Sequence, residues 1–251
     1  MQVQNNLANR NQEEPVTEFM VGDDKVKLSA SIIRKNLVSG GGNVTNQEIV
    51  YFIHLCRAMG LNPFIKDAYL IKYGDQPAQT VTSIAAIQKR AEQSQDFDGY
   101  QAGIILEKEN GDIEYRPGSF HLKDREKLVG GWADVYKKNR SHPYRACVSF
   151  DEYVQRKKNG EVNSMWGTKP GTMIRKVALS QALRDAYPDK LSGLYVQEEM
   201  NAAEEPVSVT PIQQPEEMYQ EPQQIPEQVP QQFIQPEETY SEPVMDRPSF
   251  V

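Results

Sequence analysis

The sequence holds little cysteine: Cys56 and Cys147 are the two in 251 residues, far apart and outside any CxxC pair. That spacing supports neither a disulfide scaffold nor a zinc site. Cys56 sits among Leu55, Ala58 and Met59, the setting of a buried free thiol. Histidine is also scarce, and His54, His121 and His142 form no HExxH motif and no His/Cys cluster. His54 reads as a partly exposed side chain on a helix. No GxxxxGK[ST] phosphate loop occurs, which argues against ATP-driven strand exchange. Gly40-Gly41-Gly42 lacks the lysine and the strand–helix setting of such a loop, and reads as a flexible connector. No apolar run approaches the ~18 residues of a membrane span. The opening MQVQNNLANRNQEE has no apolar stretch of the kind a secretion signal needs. A cytoplasmic chain without membrane contact is expected.

Apolar residues are under-represented, at 38% against the ~45–50% of a globular domain. The deficit is concentrated at one end. From Glu198 onward there are twelve acidic residues and one basic residue, Arg247, a net charge of −11. The whole chain is −7, so residues 1–197 carry +4. Tyr115–Lys190 is more basic still, with sixteen Lys/Arg against eight Asp/Glu. An acidic average therefore conceals a basic body. Nine of the sixteen prolines lie beyond residue 200, with almost no apolar periodicity. Such a composition cannot bury enough surface to offset chain entropy. The expected organisation is a disordered N-terminus over 1–18, a folded core over 19–197, and an acidic disordered tail over 198–251.

Within the core, Thr45-Asn46-Gln47-Glu48 fits a capping box, and Ile49, Phe52, Ile53, Cys56 and Met59 then share one helical face. Gly60 is placed to end that helix. Ala68–Tyr73 and Gln79–Thr82 read as a hairpin around Gly74–Pro77, and Ser83 can cap a following helix. A second hairpin joins Tyr100–Leu106 to Ile113–Arg116 through Asn110-Gly111. Leu128–Lys137 and Arg145–Phe150 are two further strands, Asp151–Lys158 a short helix, and Thr172–Tyr187 a long one stopped by Pro188. Hairpins interspersed with helices predict an α+β fold, a hairpin-rich antiparallel sheet packed with helices.

The basic segment is mixed with aromatics. Trp132, Tyr136, Lys137, Lys138, Arg140, Tyr144 and Arg145 fall close together, followed by Trp166, Lys169, Arg175, Lys176 and Arg184. A cationic track neutralises phosphates while rings give sequence-tolerant stacking worth ~1–3 kcal/mol per base. Lys176 and Arg184, eight apart, nearly align on one helical face, which suits a backbone groove or a salt-bridged surface. Lys157-Lys158 reads as a solvated face. A metal-dependent nuclease would draw on Glu92, Asp96 and Asp98, although Ser-Gln-Asp-Phe-Asp-Gly reads better as a helix-ending turn. An adaptor acting through the acidic tail is the other alternative. No reaction suggests itself, so a non-enzyme is expected.

Val135-Tyr136-Lys137-Lys138-Asn139-Arg140-Ser141-His142-Pro143, then Val148–Glu152 and Trp166-Gly167-Thr168-Lys169-Pro170, resemble the phage Bet (lambda Red beta-like) proteins of the Bet/RecT superfamily. Gly60-Leu61-Asn62-Pro63-Phe64, Phe97-Asp98-Gly99 and Met173–Lys176 with Gln181–Arg184 extend the resemblance over roughly Thr45–Tyr187. It implies single-stranded DNA binding and ATP-independent annealing of complementary strands in homologous recombination. It also implies a homo-oligomer, as a ring or a helical filament, on the strand and on the annealed duplex. No cofactor is required, with magnesium at most a modulator of annealing. A phage exonuclease and the host single-strand binding protein are the candidate partners. The resemblance carries DNA contact onto Arg140, Arg175, Arg184 and Trp166, with Lys137, Lys138, Lys169 and Lys176 as basic neighbours. Gly171 stands where the family pattern has a lysine, and nothing after residue 198 matches the small C-terminal helical domain of Bet proteins.

Overall fold

The computed structural model describes residues 14–157 and 159–200. Most of the segment 1–18, and residues 201–251 of the expected disordered tail, lie outside the described residues.

The chain opens with a hairpin, β1 (Thr17–Val21) and β2 (Asp24–Leu28), turned by Gly22 at φ +60°. Thr17 and Glu18 are therefore strand residues, which corrects the disordered assignment at its inner edge. Their pairing with Leu28 and Lys27, and the burial of Phe19 and Val26, hold them in place. Helix α1 (Ala30–Asn36) starts on Ser29, whose hydroxyl accepts from the Ile32 amide. Strand β3 (Val38–Ser39) then runs parallel to β4 (Ala68–Ile71), which pairs antiparallel with β5 (Gln79–Thr82).

Between β3 and β4 lies α2 (Asn46–Ala58), with the expected capping box on Thr45 and Glu48. Ile49, Phe52, Ile53 and Cys56 are buried along it, and Gly60 follows at φ +55°. Burial pushes the Cys56 thiol up to about 12, so it stays protonated and inert. The glycine run before α2 differs from the flexible connector expected of it. The Gly42 amide donates to the Lys72 carbonyl, and a Cβ on Gly40 would lie 2.5 Å from that same oxygen. Gly40 and Gly42 are thus required by a close backbone approach to the end of β4.

Helix α3 (Ile84–Glu92), capped by Ser83, leads into the main sheet. Its strands are β6 (Phe97–Lys108), β7 (Ile113–Pro117), β8 (Glu126–Lys137) and β9 (Tyr144–Ser149), all antiparallel in the order β7-β6-β8-β9. The Phe97-Asp98-Gly99 segment opens β6 with a register irregularity, and Gly99 sits at φ +93°. Helix α4 spans only Phe150–Tyr153, shorter than the expected Asp151–Lys158. The chain after it turns extended, and Arg156 bridges antiparallel to Val162.

After α5 (Ser164–Thr168), helix α6 (Pro170–Ala186) runs across the sheet, against β8, β9 and β6. Gly131 permits this, since a Cβ there would lie 2.6 Å from the Ile174 carbonyl oxygen. Helix α3, α7 (Pro188–Leu191) and a final 3-10 turn, Gln197–Glu199, pack on the other sides of α6. Ile174, Val177, Ala178, Ala182 and Leu183 are fully enclosed, and the helix is buried on more than one face. That enclosure explains why its residues show no single apolar stripe. The fold is α+β, as the sequence predicts.

Candidate nucleic-acid interface

The loop between β8 and β9 carries two exposed cations of the basic segment, Lys138 and Arg140. The Lys138 amide donates to the Asp96 carbonyl and the Arg140 amide to the Lys137 carbonyl, so the loop is a fixed turn. Lys138, Asn139, Arg140, Ser141 and His142 are all exposed on it. The Arg140 guanidinium lies 5.3 Å from the centre of the Tyr144 ring. The Lys138 ammonium donates, among the described residues, only to the Gln95 carbonyl, at 3.0 Å. Behind the loop is an open cleft of about 940 Å³, walled by Gln93–Asp96, Lys137–Arg140, Tyr144 and Asp185–Lys190. A second recess of about 600 Å³ continues it past Arg140, Ser141 and His142.

Lys137 differs from its neighbours. Its ammonium pairs with Asp96 at 3.0 Å, donates to the Ala186 carbonyl at 3.2 Å, and lies 4.4 Å from the Tyr187 ring centre. It ties the end of β8 to the end of α6. A hydrogen bond from the Lys137 ammonium holds the Asp96 carboxyl below the usual range. Burial, and then the Asp96 charge, push the Tyr187 hydroxyl up to about 12. Asp96 is thus engaged with a cation, and among the described residues no group of three His, Cys, Asp or Glu is placed to hold a metal.

The cations of α6 fall into two kinds. Lys176 pairs with Glu198 at 2.7 Å, and Arg184 is wrapped by Glu199, Ser180, the Leu194 carbonyl and the Tyr195 ring. Glu198 and Glu199 sit in the 3-10 turn Gln197–Glu199, which corrects the expected disorder of the tail at its first residues. That turn is tied down: Gln155 donates to the carbonyls of Gln197 and Met200, and Tyr69 donates to the Gln197 side chain. Of the two sequence readings of Lys176 and Arg184, the salt-bridged surface is therefore the one the geometry shows. Arg175 has no ion pair among the described residues, and its Nε is shielded without a hydrogen-bond partner. Lys169 is exposed at the start of α6 and unpaired among the described residues.

Trp166 is overturned as a stacking surface. It is 2% exposed and packs edge-on against Phe150, with ring centres 5.8 Å apart. Trp132 is buried as well, and Arg145 is paired with Asp134. The structure brings Lys137, Lys138 and Arg140 to one end of α6, leaves Lys169 at the other, and places Arg175, Lys176 and Arg184 between. Sequence reasoning missed Glu198 and Glu199 as partners of α6, because the acidic run in which they begin reads as tail.

An α+β core with an exposed cationic loop beside a long buried helix defines the class, and comparison with known proteins supplies the family. The family model described as the RecT family matches residues 24–211. The chain belongs to that family, within the RecT/Bet superfamily of single-strand annealing recombinases. The match begins well before the region on which the sequence resemblance rests and takes in the hairpin strand β2 and α1. An uncharacterized protein of Ureaplasma parvum serovar 3, UU154, is 32% identical over an alignment of 165 residues that covers 62% of this chain. The alignment spans 61% of that relative's length. No helix among the described residues is long and apolar enough to cross a membrane.

Proposed function

We propose that this protein binds single-stranded DNA along the β8–β9 loop and α6, and anneals complementary strands in recombination without a nucleotide cofactor. The observation that carries the reading is the exposed Lys138–His142 loop over its cleft, in a chain of the RecT family. Lys138 and Arg140 are the cations best placed for phosphates, since neither is held by a carboxylate among the described residues. Tyr144, under Arg140, offers a ring at the edge of the same cleft.

Annealing demands that a strand be held by its backbone while its bases remain able to pair. Cationic contacts to phosphates do this without reading sequence, so specificity rests with base pairing. Lys176 and Arg184 join the track only when phosphates displace Glu198 and Glu199. The lack of a phosphate loop supports ATP independence, and the same reading includes a non-catalytic protein acting as an oligomer on DNA.

The test is anisotropy of a labelled oligothymidylate titrated with the protein across a range of salt. The double variant Lys138→Gln/Arg140→Gln is expected to lower affinity for all sequences alike and to reduce the slope of log K against log salt by ~1.4, or ~0.7 per lost contact. Unchanged affinity and slope in the correctly folded variant would refute this site.

A further inference from the structure

The end of α6 away from the β8–β9 loop carries a second feature that the family reading does not use. Phe120 is 71% exposed, more than any other large hydrophobic side chain among the described residues. Leu122, two residues on, is 48% exposed. The loop that displays them is fixed. The Gly118 amide donates to the Ala102 carbonyl, the Leu122 amide to the Glu126 carboxylate, and the amides of Arg125 and Glu126 to the Leu122 carbonyl. It also presses on the first turn of α6, where a Cβ on Gly171 would lie 2.8 Å from the Ser119 carbonyl oxygen. Phe120 is therefore displayed by a rigid support at a cost in exposed apolar area that packing does not explain.

Around it, Lys123, Arg125 and Lys169 are exposed and form no ion pair among the described residues. The nearby carboxylates Glu107 and Glu126 are already taken by Lys127 and Arg116. Asp124 and Glu109 remain, so three cations face two acids. A cleft of about 600 Å³ runs here, walled by His121, Lys123 and Arg125 together with Glu109, Asp124 and the already paired Glu107 and Glu126. Lys169 immediately precedes Pro170, which also lines it. The cores of protein–protein contacts are depleted of Lys and Asp, and here Lys123, Asp124 and Arg125 directly follow the apolar pair. Exposed aromatics among unpaired cations are the composition of a single-strand surface.

We propose that this end of α6 is a second contact for single-stranded DNA, with Phe120 stacking on a base and Lys123, Arg125 and Lys169 on the flanking phosphates. The proposal rests on the DNA-binding reading above and extends it. The two ends of α6, 17 residues long, are about 25 Å apart at ~1.5 Å per residue. A strand engaging both contacts would therefore have to run along the length of α6.

The experiment uses the full chain with Phe120→Trp. Trp132 and Trp166 are 6% and 2% exposed, so the added indole is the exposed reporter. Titration with unlabelled oligothymidylate should quench its red-shifted emission in step with anisotropy of a labelled strand. Phe120→Ala should cost about tenfold in affinity, within the range of one base–aromatic stack. Lys123→Gln/Arg125→Gln should lower the salt slope by ~1.4. Binding seen by anisotropy with no change in the added indole overturns this contact and leaves the β8–β9 loop site standing. No binding by either readout overturns both. If Phe120→Ala alters particle size by light scattering without DNA and leaves affinity unchanged, the surface is a contact between copies of the chain, and the proposal fails.

Discussion

If DNA must displace Glu198 to reach Lys176, then Glu198→Gln should tighten single-strand binding. The carboxylate lies 2.7 Å from the Lys176 ammonium, and the two side chains are 15% and 32% exposed. A pair at this level of exposure is worth at most ~1 kcal/mol once solvent screening is counted, so releasing it should raise affinity up to about fivefold. The salt dependence should change in a more diagnostic way. In the wild-type chain the phosphate replaces a carboxylate, whereas in the variant Lys176 meets the strand unpaired. The slope of log K against log salt should then steepen by ~0.7. Anisotropy of a labelled oligothymidylate between ~50 and ~200 mM salt covers the range in which such slopes are read. Thermal denaturation beside it checks that the turn Gln197–Glu199 stays docked. Unchanged affinity and slope in a variant of unchanged melting temperature would place Lys176 off the path of the strand.

Other perturbations separate structural from binding roles. Arg184→Met strands the Glu199 carboxylate, 6% exposed, and should cost ~3–5 kcal/mol in denaturant unfolding; adding Glu199→Gln should restore most of it, and a stable single variant would contradict the pairing. Glu48 accepts from Lys72, Thr45 and Ala78. Burial alone would raise its pKa, but those hydrogen bonds hold it at about 2 against an ordinary 4.5. Its contribution, about 3 kcal/mol at most, is therefore complete above pH 4.5 and lost as pH falls toward 2. Glu48→Gln should flatten that acid limb of an unfolding-against-pH curve, and an unaltered limb would refute the assignment. Trp166→Ala should cost ~3–5 kcal/mol as a core truncation. Trp166→Phe should leave DNA affinity intact, and a selective loss of binding there would revive the stacking role.

Much of the fold is legible from local chemistry. The capping box at Thr45, the Ser83 cap, the Asn110-Gly111 turn and the stop at Pro188 each act through neighbouring backbone, so a short window carries the signal. The opening hairpin and α1 are different. Their strands are short and partly exposed, and they gain stability from Phe19, Val26 and Ile33 packing on distant residues. The candidate site divides in the same way. Exposure of Lys138 and Arg140 follows from a polar loop between two strands. The burial of Trp166 and the pairing of Lys176 and Arg184 depend on Phe150, Glu198 and Glu199, which only the tertiary fold brings near. An aromatic beside cations reads alike in a sequence whether the ring faces water or the core.

The most direct test of the central claim is the rate at which two complementary fluorescent oligonucleotides pair in the presence of the protein and the absence of any nucleotide. Pairing should accelerate as protein covers the strands, proceed unchanged when ATP is added, and fall toward the spontaneous rate with Lys138→Gln/Arg140→Gln. Tight binding that leaves the pairing rate at its spontaneous value, or acceleration only with ATP, would contradict the account.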